Sequence, residues 1–245
     1  MFVGFGTVAN VTTVVVGSGL GLLIGHRLNQ HVRTTVTSAL GLVTLLIAAQ
    51  SAVAVSDGAL SEAVGDSAPL LIVLGSLVLG GIVGSLLRIE ERVEGFGGYL
   101  QRRLSRSDDD GRFVEGFVIS SLVFCIGPLT ILGSINEGLG NGADQLLLKS
   151  TLDAFAALAF AASFGIGVMA SALSVGVIQG SLTVLGALLG SFMPDAHLAV
   201  LTATGGLILI GVAMRLLDLK SFAVADLLPA LVIAPVLCQV VIASR

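Results

Sequence analysis

The chain has 245 residues, 55% of them hydrophobic and 11% charged, with a mean hydropathy of +1.02 and a net charge of −4. A soluble domain carries about 25% charged residues, so a soluble globular fold is excluded, and the acidic balance offers no basic footprint for nucleic acid. Two cysteines in apolar stretches (Cys125, Cys238) and three scattered histidines (His26, His31, His197) make neither a disulfide framework nor a metal motif, and no cofactor is implied.

A membrane-spanning helix needs about 20 residues, and charges punctuate this chain at about that spacing. The first 26 residues are uncharged and lack a basic leader, so they read as a first span over 4–25 and not as a secretory signal. Span 2 runs over 34–55 and contains Gln50; span 3 runs over 69–88. Residues 88–112, "RIEERVEGFGGYLQRRLSRSDDDGR", are the one sizeable polar segment and read as a short surface helix followed by a loop. Its simplest role is to fix topology; lipid binding or regulation is the alternative.

Span 4, over 114–135, is interrupted by Gly127-Pro128. Proline removes an N–H and clashes with the carbonyl four residues back. Freed backbone groups at membrane depth survive when they are buried in protein or line a polar cavity. Either Thr130 or a neighbour satisfies a plain kink, or the break opens a site. Span 5, over 146–169, begins "LKSTLDAF", with Lys149 and Asp153 four residues apart on one helix face. The uncharged run 154–194 would be about 60 Å long as a single helix, so it must turn, and "SALS" (171–174) is the expected place. That leaves span 6 over 174–192, span 7 over 197–215 and span 8 over 224–242, making an all-α polytopic protein of about eight helices in a single domain over 1–245.

All twelve Lys and Arg residues except Lys149 and Arg245 follow spans 1, 3 and 7. The alternate segments carry Asp57, Glu62, Asp66, Glu137, Asp144 and Asp195. Basic residues mark the cytoplasmic side, so both termini are expected outside a prokaryotic inner membrane.

Glycines four apart recur at Gly17/Gly21/Gly25, Gly80/Gly84, Gly176/Gly180 and Gly186/Gly190. Small faces of this kind let helix backbones touch in lipid, within the chain or between copies in a homo-oligomer. Aligning "NVTTVVVGSGLG" (10–21) with "QGSLTVLGALLG" (179–190) places Asn10 on Gln179 and Thr12 on Ser181. Spans 1–3 and 6–8 are thereby a candidate inverted repeat around spans 4 and 5, an arrangement found in secondary transporters.

Polar groups at membrane depth are costly unless paired or facing a cavity. The candidate substrate- or ion-binding set is Asn10, Gly127, Pro128, Thr130, Lys149, Ser150, Asp153, Gln179 and Ser181. Gly127 and Pro128 would open the backbone, Lys149, Ser150 and Asp153 would supply charge and coupling, and Asn10 and Gln179 would orient the ligand. The bland alternative has Lys149 reaching for the interface to pair with Asp153, and Asn10 and Gln179 acting as interhelical glue. Asp226 reads as a helix-start residue.

The stretches "GTVANVTTVVVGSGLGLLIGHRL" (6–28), "FCIGPLTILGSINEGL" (124–139), "LLKSTLDAFAALAFAASFGIGV" (147–168), "IQGSLTVL" (178–185) and "LLPALVIAPVL" (227–237) resemble the YdfK/YqgA-like bacterial membrane proteins, the domain of unknown function 554 family. The match covers nearly the whole chain in order, with Cys-x-Gly-Pro and Lys-Ser-x-x-Asp as its specific elements. The resemblance implies an integral membrane protein and names no substrate. The function expected is secondary transport of a small polar solute or ion through the bilayer, with an ion channel or a non-transporting partner subunit as alternatives. No enzyme is expected, because no Ser/His pair lies at depth and no Gly-x-Ser-x-Gly occurs.

Overall fold

The structure is a computed structural model that describes residues 2–25, 30–104, 110–126, 128–189, 194–220 and 222–245. Among these residues all regular structure is helical. The helices are α1 (Phe5–Gly25), α2 (Gln30–Ala52), α3 (Gly58–Val64), α4 (Ala68–Leu87), α5 (Ile89–Leu104), α6 (Asp110–Cys125), α7 (Pro128–Gly138), α8 (Asp144–Phe164), α9 (Gly167–Leu189), α10 (Asp195–Leu216) and α11 (Ala230–Ala243), with 3₁₀ turns at Val53–Ser56 and Ala225–Leu227. Among the described residues seven spans are long and apolar enough to cross a membrane, and α6 with α7, bent by 73° between Arg112–Cys125 and Leu129–Gly138, makes an eighth if counted as one. The protein is thus an all-α polytopic membrane protein, and most of its spans follow the charge-free runs to within a few residues; the exceptions are Thr34–Val64, which extends past Asp57 and Glu62, and Asp144–Phe164, which carries Asp144, Lys149 and Asp153.

One turn lies elsewhere than expected. The long apolar run breaks at Gly165-Ile166, and "SALS" sits inside α9. Gly165 has φ 86° and its N–H caps the Ala161 carbonyl, which ends α8. With ψ −154° this is an extended conformation at positive φ that glycine takes without a Cβ penalty. Serine in a membrane helix can instead bond back to its own turn, as Ser171 does to Val168 O at 2.6 Å. Serine content was therefore a poor marker of a break.

The chain forms two compact units, interleaved in sequence: residues 1–40 with 93–192, and residues 41–92 with 193–245. In the second unit Leu60, Val64, Ile72, Val73, Ala199, Val200, Ala203, Ala234 and Cys238 form one buried cluster from α3, α4, α10 and α11. Here Gly84 admits the backbone of the α11 approach so closely that a Cβ would stand 1.8 Å from the Asp226 carbonyl oxygen.

In the first unit α1 and α8 run side by side in the same direction. Gly6 lies against Leu146, Gly17 against Ala154, Gly21 against Leu158 and Gly25 against Ala162. A Cβ on Gly17 or Gly21 would stand 2.3 or 2.2 Å from the facing carbonyl oxygen, so the spacing read from sequence is that of a backbone contact. Taken together, the bent pair α6–α7 advances along α9 in the same direction, through Phe113 against Gly167, a Ser121–Ser174 hydroxyl bond of 2.9 Å, and Ile135 against Gly186, while α7 itself crosses α9, with Gly138 on the Thr183 carbonyl. The pair runs opposite to α8, with Phe124 and Phe160 ring centroids 5.9 Å apart and Gly133 against Leu146. Finally α1 and α9 run in opposite directions, through Val11 against Gly176 and Thr7 beside Thr183. On α5, the predicted surface helix, Phe96 meets Phe117 of α6 edge to face at 5.9 Å.

Candidate functional site

α8 carries Lys149 and Asp153 one turn apart, and their charged groups pair directly. Both are buried, with side chains 8% and 10% exposed. Asp153 lies nine residues into α8, about 14 Å along its axis. α1 supplies the third member: Asn10 Nδ2 donates to Asp153 Oδ2 at 2.9 Å. The α1 face that delivers it (Gly6, Thr7, Asn10, Val14, Gly17, Ser18, Gly21) repeats every three or four residues and lies against α8.

The lone pairs are shared unevenly. Lys149 and Asn10 both donate to Oδ2, which leaves Asp153 Oδ1 without a hydrogen bond among the described residues. Asn10 Oδ1 is buried and also lacks a partner. Lys149 uses one donor of three on Asp153. Burying such a pair has a desolvation cost that Coulomb attraction offsets when the remaining lone pairs are satisfied; here two oxygen acceptors are left over.

The break in span 4 lies at the same level. Asp153 falls midway between Leu146, which meets Gly133 of α7, and Phe160, which meets Phe124 of α6. Cys125, the last residue of α6, lies within electrostatic reach of both Lys149 and Asp153. Pro128 begins α7, a position where its missing N–H is no loss. Gly127 lies outside the described residues. Thr130 Oγ1 reaches back across the break to donate to the Phe124 carbonyl at 3.1 Å, so the plain satisfaction of a kink expected of Thr130 takes place.

The remaining candidates divide. Ser150 is buried but turns to its own helix, bonding Leu146 O at 2.6 Å. Gln179 is fully buried on α9, and neither of its amide atoms has a partner among the described residues. Ser181 is exposed on α9, and Thr12 is exposed and bonds Val8 O. Ser181 follows Gln179 by two residues, about 200° around the helix, so the two cannot share a face. Gln50 is likewise exposed.

Two acids that the charge map placed at span boundaries are buried. Glu137, near the end of α7, receives the Gly6 N–H at the start of α1 and the Thr7 hydroxyl at 3.4 Å. A carboxylate there meets the free N–H groups of a helix N-terminus. Glu90, in the second unit, takes Arg215 Nη1 at 2.8 Å on one oxygen and the Ala225 N–H at 2.7 Å on the other. Asp226 does act at a helix start, but that of α5: its Oδ1 accepts the Glu90 N–H at 2.9 Å.

Comparison with known proteins gives a consistent picture. The model of the family described as "Protein of unknown function (DUF554)" matches residues 5–239. The chain is 28% identical over 237 residues to the "Uncharacterized membrane protein YdfK" of Bacillus subtilis (strain 168), covering 97% of this chain and 96% of that one. It is 29% identical over 232 residues to the "Uncharacterized protein YqgA" of Escherichia coli (strain K12), covering 94% of each. No solved structure matches.

Proposed function

The chain belongs to the DUF554 family of membrane proteins, and we propose that it is a secondary transporter of a small polar solute or ion. The observation that carries the reading is the buried Asn10–Lys149–Asp153 cluster at the level of a broken span, in which Asn10 Oδ1 is buried without a partner and Asp153 Oδ1 accepts no hydrogen bond among the described residues. Ionisable groups inside membrane spans mark ion and substrate pathways, and discontinuous helices present free backbone ends to the cargo.

The antiparallel α1 and α9, each lying alongside a span that runs in its own direction (α8, and the broken span α6–α7), support an inverted repeat of spans 1–3 and 6–8 that exchanges spans 1 and 6 and, between them, spans 4 and 5. The protein would sit in the bacterial cytoplasmic membrane with both termini outside, as the Lys/Arg distribution supports. If it forms a homo-oligomer through a glycine face, Gly180 is a candidate among the described residues, because a Cβ there meets nothing within 4 Å, whereas Gly17, Gly21 and Gly84 already abut backbone of their own chain.

Reconstitution into liposomes tests the reading. Purified protein should give saturable flux of an alkali cation, a proton or an organic ion, and Asp153→Asn should reduce that flux to the level of protein-free liposomes. Flux untouched by Asp153→Asn and Lys149→Met would remove the site. Conductance far above about a thousand ions per second, beyond the μs–ms timescale of domain motions, would make it a channel.

A further inference from the structure

The first unit contains the same contact twice. Gly17 of α1 sits on the carbonyl of Ala154, and Gly186 of α9 sits on the carbonyl of Ile135; built Cβ atoms would stand 2.3 and 2.6 Å from those oxygens. Superposing the two contacts in sequence pairs the polar residues around them. Asn10 precedes Gly17 by seven residues, as Gln179 precedes Gly186. Asp153 precedes Ala154 by one residue, as Ser134 precedes Ile135. Lys149 precedes Ala154 by five residues, as Thr130 precedes Ile135. The counterpart of the Asn10–Asp153–Lys149 cluster is therefore Gln179–Ser134–Thr130.

That second set is buried and unfinished. Gln179, Ser134 and Thr130 are each fully buried. Gln179 Oε1 and Nε2 and Ser134 Oγ have no hydrogen-bond partner among the described residues. An unpaired buried amide or hydroxyl is costly, which makes orphans on two adjoining helices a sign of something that completes them. Their level in the unit is bracketed. Below Gln179, Ser174 bonds Ser121 of α6; above it, Gly186 lies on Ile135 of α7. Gln179 thus stands opposite the junction of α6 and α7, where Thr130 already reaches to the Phe124 carbonyl.

We propose that Gln179, Ser134 and Thr130 form a second, uncharged subsite for a small monovalent cation, related to the Asn10–Lys149–Asp153 cluster by the inverted repeat. An amide oxygen and two hydroxyl oxygens, beside the carbonyl end of a half-helix, are neutral oxygen ligands. Divalent ions take carboxylates, whereas rings of uncharged oxygens replace the hydration shell of alkali cations. The subsite deepens the transport reading and rests on it for its role.

The test is thermal unfolding of the purified full-length protein against NaCl and KCl, with choline chloride and sodium gluconate separating cation from anion effects. A ligand bound by the folded state raises apparent stability by mass action. Wild type should respond saturably to sodium or potassium with either anion and not to choline chloride. Gln179→Leu and Ser134→Ala should each raise the half-saturating concentration at least tenfold while the protein stays folded. No alkali-specific response, a response that follows chloride, or one unaffected by both substitutions would overturn the subsite. Loss of liposome flux in Asp153→Asn with an unchanged cation response in Gln179→Leu would end the subsite and leave the transport reading standing. A cation response abolished by Gln179→Leu in a protein that moves nothing across liposomes would keep the subsite and end the transport reading.

Discussion

Among the described residues each unit buries one carboxylate–cation pair, and the two are finished differently. In the second unit Glu90 has a partner on both oxygens, Arg215 on one and the Ala225 N–H on the other, and its own N–H is held by Asp226. The result is a bracket that joins the start of α5 to the end of α10 and the turn before α11. In the first unit Asp153 receives Lys149 and Asn10 on the same oxygen; among the described residues its other oxygen accepts no hydrogen bond and Asn10 Oδ1 is buried without a partner. Burial does not separate the two: side chains are 16% and 12% exposed in the Arg215–Glu90 pair, 8% and 10% in the Lys149–Asp153 pair. What separates them is whether each lone pair has a partner. A pair with every acceptor matched holds helices together, and a pair with acceptors left over has something to offer a ligand.

The comparison can be broken by substitutions on either side. The largest stability effects come from removing one partner, which strands a buried charge at a cost of about 3–5 kcal/mol. Arg215→Met and Lys149→Met should both show it as a lowered Tm in detergent. They should part in liposomes, where flux per folded molecule survives Arg215→Met and is lost in Lys149→Met. Next come the backbone contacts. Gly84→Leu in the second unit and Gly17→Leu in the first would drive side chains into carbonyl oxygens, at about 3 kcal/mol or more each, and should reduce the folded yield by size-exclusion chromatography. Glu137→Gln is milder, because the amide oxygen can still accept the Gly6 N–H. The loss of a charge at the α1 N-terminus should cost about 1 kcal/mol by thermal unfolding. Thr12→Val, on the exposed side of the same helix, should stay within about 0.5 kcal/mol of wild type. A loss there equal to that of Glu137→Gln would mean that the buried face of α1 is not what holds it.

Much of the fold was legible because one constraint dominates membrane chains. Only runs of about 20 apolar residues span, and charge-free runs locate them. The Gly165 turn escaped because a positive-φ glycine stop has no polar signature in a chain with 32 glycines. Lys149 and Asp153 were legible from their four-residue spacing, and Asn10 from the alignment of two glycine faces. Ser181 entered through that same alignment but was misplaced by helix phase, two residues and half a turn from Gln179. Glu137 and Glu90 were missed for the converse reason: charges served as boundary marks, and nothing in "SINEG" or "RIEER" says that a boundary carboxylate will fold inward to meet the N–H of Gly6 or of Ala225. Such caps form between segments more than 130 residues apart, so local pattern does not contain them.

The claim that the first unit's pair works and the second unit's pair holds is tested most directly by one paired flux measurement. Asp153→Asn and Glu90→Gln, each purified as folded protein, would be reconstituted into liposomes at equal density beside wild type. The account predicts that Asp153→Asn is reduced to the background of protein-free liposomes while Glu90→Gln moves as much per molecule as wild type. Flux that survives Asp153→Asn, or that falls equally in both, would contradict it.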